Sequence, residues 1–160
     1  MIIMANFTIY RSQFIDKPRD VVFSFFSKPE NLECITPPYL HFKIMNTLPV
    51  SMKEGQIINY KLRIRGISIK WSSLIKSYSP PFSFIDEQIK GPYSVWHHTH
   101  EFIEEKNGTR IIDNIIYKIP LGFIGKLINH FWVAKDLEKI FNYRQDKVNE
   151  FFKNKEDGNI

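Results

Sequence analysis

Apolar and polar residues alternate along much of this chain, and a period of two is typical of strands that bury one face. The stretch FTIYRSQFI, residues 7–15, predicts a first strand because it is rich in β-branched and aromatic residues. Further alternating stretches, separated by glycine, proline or Asn-Gly, predict six more antiparallel strands. In chain order these are HFKIMNT, QIINYKLRIR, ISIKWSSLIKSY, FSFIDEQIK, YSVWHHTHEF and TRIIDNIIYKIP.

Helical spacing interrupts the alternation shortly after the first strand. VVFSFF, residues 21–26, repeats its apolar side chains at helical spacing and predicts a short helix. We expect Asp16 to be its N-cap and Pro18 to lie in its first turn. A second short helix is predicted over residues 30–35, where two consecutive prolines then end it.

One long amphipathic helix is predicted over residues 123–152. Its apolar residues recur at intervals of three, four and seven, and they are Ile124, Leu127, Phe131, Ala134, Leu137, Phe141, Val148 and Phe152. A seven-stranded sheet with one apolar face needs a cover, and this helix is the only large one that the pattern predicts. The predicted fold is therefore α+β, with a single domain over residues 1–153 and a polar tail over residues 154–160.

Composition indicates a cavity wall, and the distribution of charge argues against a nucleic-acid partner. Hydrophobic residues make up 43% of the 160 residues and aromatic residues 15%, which is ample for a core, and the 14 phenylalanines hint at a cavity wall. The net charge is +5, but basic residues are scattered and no nucleic-acid-binding motif is present, so no nucleic-acid partner is predicted. The densest basic stretch places Lys61, Arg63 and Arg65 on one strand face. A solvated face explains this better than a phosphate-binding stripe.

Cysteine content and hydropathy exclude further classes. Cys34 is the only cysteine, so neither an internal disulfide nor a cysteine-rich metal motif can form. No apolar run approaches the roughly 20 residues of a membrane span. The first residues lack the basic segment and long apolar run of a signal peptide. We therefore expect a cytoplasmic protein without a cofactor.

Two stretches carry a resemblance to a known superfamily. IDKPRDVVFSFFSKPENLECITPP (residues 15–38) and DEQIKGPYSVWHHTHEF (residues 86–102) are similar to the START-like helix-grip superfamily, also called SRPBCC, and the second resembles a bacterial subgroup of it. The resemblance implies a curved seven-stranded antiparallel sheet wrapped around the C-terminal helix, with two short helices after the first strand. It also implies a deep, mostly apolar cavity. Members bind lipids, sterols, polyketides, plant hormones or quinones, and a few are cyclases or hydrolases.

A hairpin turn at Asn107-Gly108 lets a register be proposed for the strand that carries three of the five histidines. If these two residues form the loop, Lys106 pairs with Thr109, and residues opposite each other share a face. The face that we place inward carries Trp96, His98, His100, Phe102, Ile111, Asp113, Ile115 and Tyr117. In this register Phe102 faces Asp113, which lies diagonal to His100. His97 then points to water.

Three interpretations of His98 and His100 remain open. They can be buried structural groups, hydrogen-bonded to Asp113 and Tyr117. They can orient a ligand in an apolar cavity. They can also bind a metal together with a carboxylate, although the sequence favours the first two interpretations and we predict no metal.

A second carboxylate is expected near the histidine pair. The turn before the histidine strand suggests that Glu87 pairs with Trp96, but Asp86 can take its place because that turn is poorly determined.

The leading functional prediction is a binding protein for a small hydrophobic molecule such as a lipid, polyketide or quinone. The alternative is an enzyme of the cyclase or dehydratase kind that uses His100 and Asp113 as acid and base. A third hypothesis is an interaction module that docks an acidic surface through Lys61, Arg63 and Arg65. The predicted ligand-binding residues are Tyr60, Trp71, Glu87, Trp96, His98, His100, Phe102, Asp113, Tyr117, Leu127 and Phe131. The oligomeric state stays open.

Overall fold

One antiparallel sheet of seven strands forms the body of the protein. The computed structural model describes the backbone of residues 6–157 and the side chains of residues 6–154. The strands are β1 (Phe7–Ile15), β2 (Lys43–Ile44), β3 (Ile57–Ile64), β4 (Ile67–Ser79), β5 (Ser83–Lys90), β6 (Val95–Glu105) and β7 (Gly108–Lys118). Their order in the sheet is β1-β7-β6-β5-β4-β3-β2, so the first strand lies beside the last one.

Two helical regions accompany the sheet. Between β1 and β2 lie α1 (Arg19–Phe26) and two 3-10 turns at Pro29–Leu32 and Pro38–Leu40. The C-terminal helix begins as α2 (Gly122–Ile128), passes through a π turn (Asn129–Val133) and continues as α3 (Ala134–Asp157). The predicted α+β architecture, with seven antiparallel strands, short helices after the first strand and a long C-terminal helix, is confirmed.

Alternation along β7 shows which face of the sheet is inside. Its odd-numbered residues from Thr109 to Tyr117 are buried, whereas its even-numbered residues are half-buried or exposed. The C-terminal helix covers this face in two apolar clusters, one around Val148 and Phe152 and the other around Leu137 and Phe141. Burial of each such side chain contributes roughly 1.5–3 kcal/mol to folding.

Three local predictions before β3 are corrected. The N-cap position of α1 is Pro18 and no side chain caps the helix, so the prediction for Asp16 is wrong. The helix expected over residues 30–35 is only the 3-10 turn at Pro29–Leu32. The strand expected at HFKIMNT contains only Lys43–Ile44 because β2 is an edge strand that pairs with β3 at just these two positions. Prolines flank the 3-10 turn and the short strand, and a proline lacks the backbone N–H that a longer helix or strand would use for hydrogen bonding.

The β6–β7 hairpin differs from the proposed register by two residues. Glu105 pairs with Gly108, so the loop is Lys106 and Asn107, with Asn107 at φ 74°. A Cβ at Gly108 would collide with the carbonyl oxygen of Ile15 on β1, so this glycine is needed for close approach of β1. Because side chains alternate with a period of two, a shift of two residues leaves every side chain on its predicted face.

The predicted boundary after residue 153 stays a prediction. The backbone of α3 continues to Asp157, and residues 158–160 lie outside the described part of the chain. Within residues 6–157, no helix is both long enough and apolar enough to cross a membrane.

Candidate functional site

A cavity of about 160 Å³ lies between the inner face of the sheet and α3. Its wall is mostly apolar and includes Leu40, Ile58, Trp71, Trp96, Leu137 and Phe141. The ionisable side chains in the wall include Asp86, His98, His100 and Arg144. A cavity of roughly 150 Å³ is large enough for benzene, so this space accommodates a single ring without rearrangement.

The polar part of the wall belongs to a buried cluster of two histidines and two aspartates. His98 and His100 alternate on β6 and therefore both point inward. Asp86 on β5 lies opposite His98, and Asp113 on β7 lies opposite His100. His98 Nε2 donates a hydrogen bond to Oδ1 of Asp113 at 2.8 Å, and His100 Nε2 donates one to Oδ2 of Asp86 at 2.9 Å. The hydrogen bonds thus run diagonally across the strands.

The remaining ring nitrogens also lie near carboxylates. His100 Nδ1 is 2.9 Å from Oδ1 of Asp113, but the atoms lack hydrogen-bond alignment, so the contact is ionic. His98 Nδ1 is 3.7 Å from Oδ2 of Asp86, which is beyond hydrogen-bond distance. The two imidazole rings lie 3.7 Å apart between centres, and Phe84 stacks on His100 at 4.1 Å. Contacts with these two rings therefore restrict the movement of the His100 ring.

Burial and charge act in opposite directions on this cluster. Burial raises the pKa of Asp86 and of Asp113, but contacts with the histidines outweigh burial and hold both pKa values below their usual range. Burial lowers the pKa of His98, and the neighbouring His100 lowers it further. Burial also lowers the pKa of His100, but its contacts with Asp113 and Asp86 outweigh that effect and raise it. The environment thus favours ionised aspartates, neutral His98 and charged His100.

Arg144 on α3 adds a second positive charge to the cavity wall. Its guanidinium lies 5.0 Å from the centre of the Phe141 ring, and its charge helps to lower the pKa of Asp86. The buried Nε–H of Arg144 has no hydrogen-bond partner among the described residues. Such a group is costly unless something in the cavity pairs with it, so Arg144 can donate a hydrogen bond to a bound molecule.

A second histidine–carboxylate cluster lies on the outer face of the same strands. His97 Nδ1 lies 2.7 Å from Oε1 of Glu87, which also accepts a hydrogen bond from Lys76 at 2.9 Å. The prediction that Glu87 pairs with Trp96 is wrong, since Glu87 pairs with His97 and Asp86 with His98. The outward position predicted for His97 agrees with the structure.

Comparisons with known proteins bear on the fold rather than on this site. No protein-family model matches the sequence, and no curated protein matches it significantly. The Zhui aromatase/cyclase from Streptomyces sp. R1128 superposes with a TM-score of 0.74 at 11% identity, over 93% of this chain and 94% of that chain. A major latex-like protein from Panax ginseng gives a TM-score of 0.64 at 11% identity, over 92% of this chain and 97% of that one. The chain has the START-like helix-grip fold.

A third helix-grip match is part of a longer protein. The nucleoside-diphosphate sugar epimerase from Corynebacterium glutamicum is 20% identical, with a TM-score of 0.67, and the match covers 91% of this chain but 29% of that chain. At these identities the likeness shows the fold alone, so the chemistry must be argued from the cavity.

The helix-grip cavity brings together some of the predicted ligand-binding residues and not others. It is lined by Tyr60, Trp71, Trp96, His98 and His100. Phe102, Asp113 and Tyr117 are buried outside the lining. Tyr117 donates a hydrogen bond to Oδ1 of Asn129 rather than to a histidine. Ligand contact by any of these residues stays a prediction.

Leu127 and Phe131 lie outside the cavity lining, and the burial that the apolar stripe of the long helix predicts for them is wrong. Both are exposed, Leu127 by 44% and Phe131 by 55%. The buried positions there are Gly125 and Asn129, four residues apart. The π turn adds a residue to one turn of the helix, so the apolar stripe that is inward in α3 is outward in α2.

Asp86 was predicted only as a substitute for Glu87, and Arg144 was not among the predicted site residues. A signal for Arg144 exists, because a charged residue three after Phe141 and four before Val148 interrupts the apolar stripe of the helix.

The cationic stripe of Lys61, Arg63 and Arg65 is exposed, and Arg65 pairs with Asp136 at 2.9 Å.

Proposed function

We propose that this protein binds a small, predominantly apolar molecule in the cavity, with a hydrogen-bond acceptor of that molecule facing Arg144. The observation that carries the proposal is the combination of an apolar wall with a few charged groups and a buried N–H that lacks a partner. Small-molecule sites usually combine an apolar wall with a few polar groups that fix orientation. The acceptor would be a carbonyl, phenolate or carboxylate oxygen.

Cavity size narrows the class of molecule. At about 160 Å³ the space suits one aromatic or quinone-like ring and not a lipid with two acyl chains. Polyketide- and quinone-like compounds therefore fit the cavity better than lipids, which would have to open it. A cytoplasmic location stays a prediction.

Native mass spectrometry of protein purified without detergent tests the proposal directly. We expect a bound or exchangeable apolar compound at one per chain. A binding series of phenol, 1-naphthol and a long-chain fatty acid then tests the size argument, with the first compound expected to bind without a change in the cavity. Absence of any bound compound together with no binding in the series would contradict the proposal.

Two variants locate binding within the cavity. Ile58→Phe adds volume to a buried wall position and should abolish binding of every ring compound. Arg144→Met keeps an unbranched side chain that reaches about as far as Nε but removes the donor. It should weaken binding of aryl ketones or carboxylates by about tenfold, the equivalent of one hydrogen bond, and leave binding of benzene unchanged. Ile89→Ser, at an exposed position, is the matched control.

A second candidate is an enzyme of the cyclase or dehydratase kind, and the position of His100 favours it. His100 lines the cavity and is held by Asp86 and Asp113, as a general base oriented by carboxylates would be. In an aldol-type ring closure, the neutral form of His100 would take a proton from the carbon beside one carbonyl. That carbon would attack a second carbonyl carbon, and the alkoxide formed there would take the proton back from His100. Asp113 lies outside the lining, so it would act by positioning His100.

Replacing His100 separates catalysis from binding. With a β-polyketone as substrate, His100→Gln should abolish ring closure while the dissociation constant changes by less than about threefold. Asp113→Asn should reduce turnover and shift its pH profile. Substitutions that change only the melting temperature would exclude catalysis by this pair.

A further inference from the structure

Three side chains in the cavity wall bring metal-ligand atoms close together. One nitrogen or oxygen atom from each of Asp86, His98 and His100 lies within 4.8 Å of the others. Oδ2 of Asp86 is 2.9 Å from His100 Nε2 and 3.7 Å from His98 Nδ1. Ligand atoms around a tetrahedral Zn²⁺, at bonds of 2.0–2.1 Å, are about 3.3 Å apart. The two separations lie on either side of that value, so a small movement of the side chains would admit an ion.

Asp113 occupies the position that an outer carboxylate takes in a metal site. It lies 2.8 Å from Nε2 of His98 and 2.9 Å from Nδ1 of His100. In both rings these are the nitrogens that do not face Asp86. Metal-binding histidines almost always donate their other N–H to a carboxylate, carbonyl or water, which fixes the ring orientation and the tautomer. The hydrogen bond from His98 Nε2 to Asp113 leaves the lone pair of Nδ1 available for a metal. At His100, the ion would displace the proton that Nε2 donates to Asp86, since metal binding requires a deprotonated ligand nitrogen.

The types of ligand atom indicate the kind of metal, and the residues that line the cavity indicate where a free coordination position would point. Two imidazoles and one carboxylate suit Zn²⁺, Fe²⁺ or Co²⁺ and give three protein ligands. Asp86, His98 and His100 line the cavity, whereas Asp113 lies outside the lining. We propose that these three residues bind one divalent transition-metal ion of the Zn²⁺ kind, with Asp113 as outer-shell carboxylate and one coordination position open to the cavity. This proposal does not rest on the binding of an apolar molecule.

Metal titration of the full chain after chelator treatment and dialysis tests the proposal. Calorimetry with Zn²⁺ should give one site per chain, and Co²⁺ should produce the intense visible absorption of a tetrahedral ion. Saturating Zn²⁺ should also raise the melting temperature. No saturable Zn²⁺ binding, or a Co²⁺ spectrum identical to that of the free aqueous ion, would overturn the proposal and leave the cluster as a network of hydrogen bonds alone.

Variants assign the ligands, with a control from the next position on the same strand. Asp113→Asn should weaken Zn²⁺ binding by about 10- to 100-fold, as loss of an outer-shell partner does. Asp86→Asn and His98→Gln, which remove direct ligands, should weaken it further. His97→Gln should leave affinity unchanged because His97 and Glu87 lie on the outer face. If His97→Gln removes binding instead, the ion is held outside and the proposal fails.

Folding and ligand binding are measured separately from metal affinity. Circular dichroism checks each variant, and Asp86→Asn remains decisive if His98→Gln does not fold, since asparagine is nearly isosteric with aspartate. Binding of phenol is measured on the chelator-treated protein. Phenol binding without Zn²⁺ binding would overturn only the metal site, and Zn²⁺ binding without phenol binding would overturn only the proposed function.

Discussion

The sheet carries a histidine–carboxylate cluster on each face of β6, and the two clusters have similar chemistry but different surroundings. On the inner face, His98 and His100 are 4% and 5% exposed, and they contact Asp86 and Asp113. On the outer face, His97 contacts Glu87 at 2.7 Å with side chains that are 32% and 27% exposed. Distances between partners are similar, so distance alone does not distinguish a site from a surface ion pair.

Burial is what separates the two clusters. Water screens the outer pair, so its contribution to stability is only about 0–1 kcal/mol. The inner groups have lost their water, and each charge depends on its partners for compensation. Adjacent residues of one strand can therefore have opposite roles, because each step along the strand moves the side chain to the other face.

Loss of a buried carboxylate should change the stability of the protein more than any other substitution proposed here. Asp113→Ala should lower the free energy of unfolding of the metal-free protein by about 3–5 kcal/mol, because it removes the hydrogen-bond acceptor of buried His98 and one of the two carboxylates that contact His100. Urea denaturation measures this change, with Glu87→Ala as the matched outer variant. A loss below about 1 kcal/mol for Asp113→Ala would remove the distinction between the clusters.

A double-mutant cycle measures the strength of the inner hydrogen bond between His98 and Asp113. His98→Gln and Asp113→Asn, alone and combined, should show a coupling of about 1.5–3 kcal/mol, which is typical of a hydrogen bond to a charged group. The same urea titrations provide all four values. Additive effects would indicate that the two side chains do not stabilise each other.

The corresponding outer cycle should show a smaller coupling. His97→Gln and Glu87→Gln should couple by about 0.2–1 kcal/mol because both groups remain partly hydrated. A third variant, Lys76→Met, removes the ammonium group that also contacts Glu87. An outer coupling as large as the inner one would show that burial is not the deciding variable.

Salt should produce the smallest change. The screening length falls from about 10 Å at 0.1 M salt to about 3 Å at 1 M. The coupling energy of His97 and Glu87 should therefore fall toward zero at 1 M NaCl. The coupling energy of His98 and Asp113 should stay within about 0.5 kcal/mol of its value at 0.1 M salt, since these groups are buried. Repeating both cycles at the two salt concentrations measures the difference, and an inner coupling that disappears with salt would show that water reaches the cluster.

Residues within one strand were the most predictable. His98 and His100 share the inner face and His97 the outer face because alternation is a local property of an extended chain. The hairpin register was wrong by two residues, and Gly108, which was expected in the loop, instead begins β7 in close contact with Ile15 of β1. The predicted faces were still correct, because a shift by an even number of residues leaves each side chain on the same face.

The carboxylates beside the histidines were less predictable. Asp86 rather than Glu87 faces inward, and the choice depends on the connection between β5 and β6 and on the irregular register of β4 with β5. A difference of one residue in such a connection reverses the face of every side chain that follows. The exposure of Leu127 and Phe131 likewise depends on a π turn that helical periodicity does not contain.

Short-range periodicity was enough to predict the order of strands and helices along the chain. It was also enough to predict that His98 and His100 share the inner face. Tertiary structure decided which carboxylates meet these histidines, that Arg144 reaches the same cavity and that the cavity has room for a single ring. These features depend on contacts between residues far apart in the chain, such as Ile15 with Gly108 or α3 with the sheet, and no local pattern specifies them.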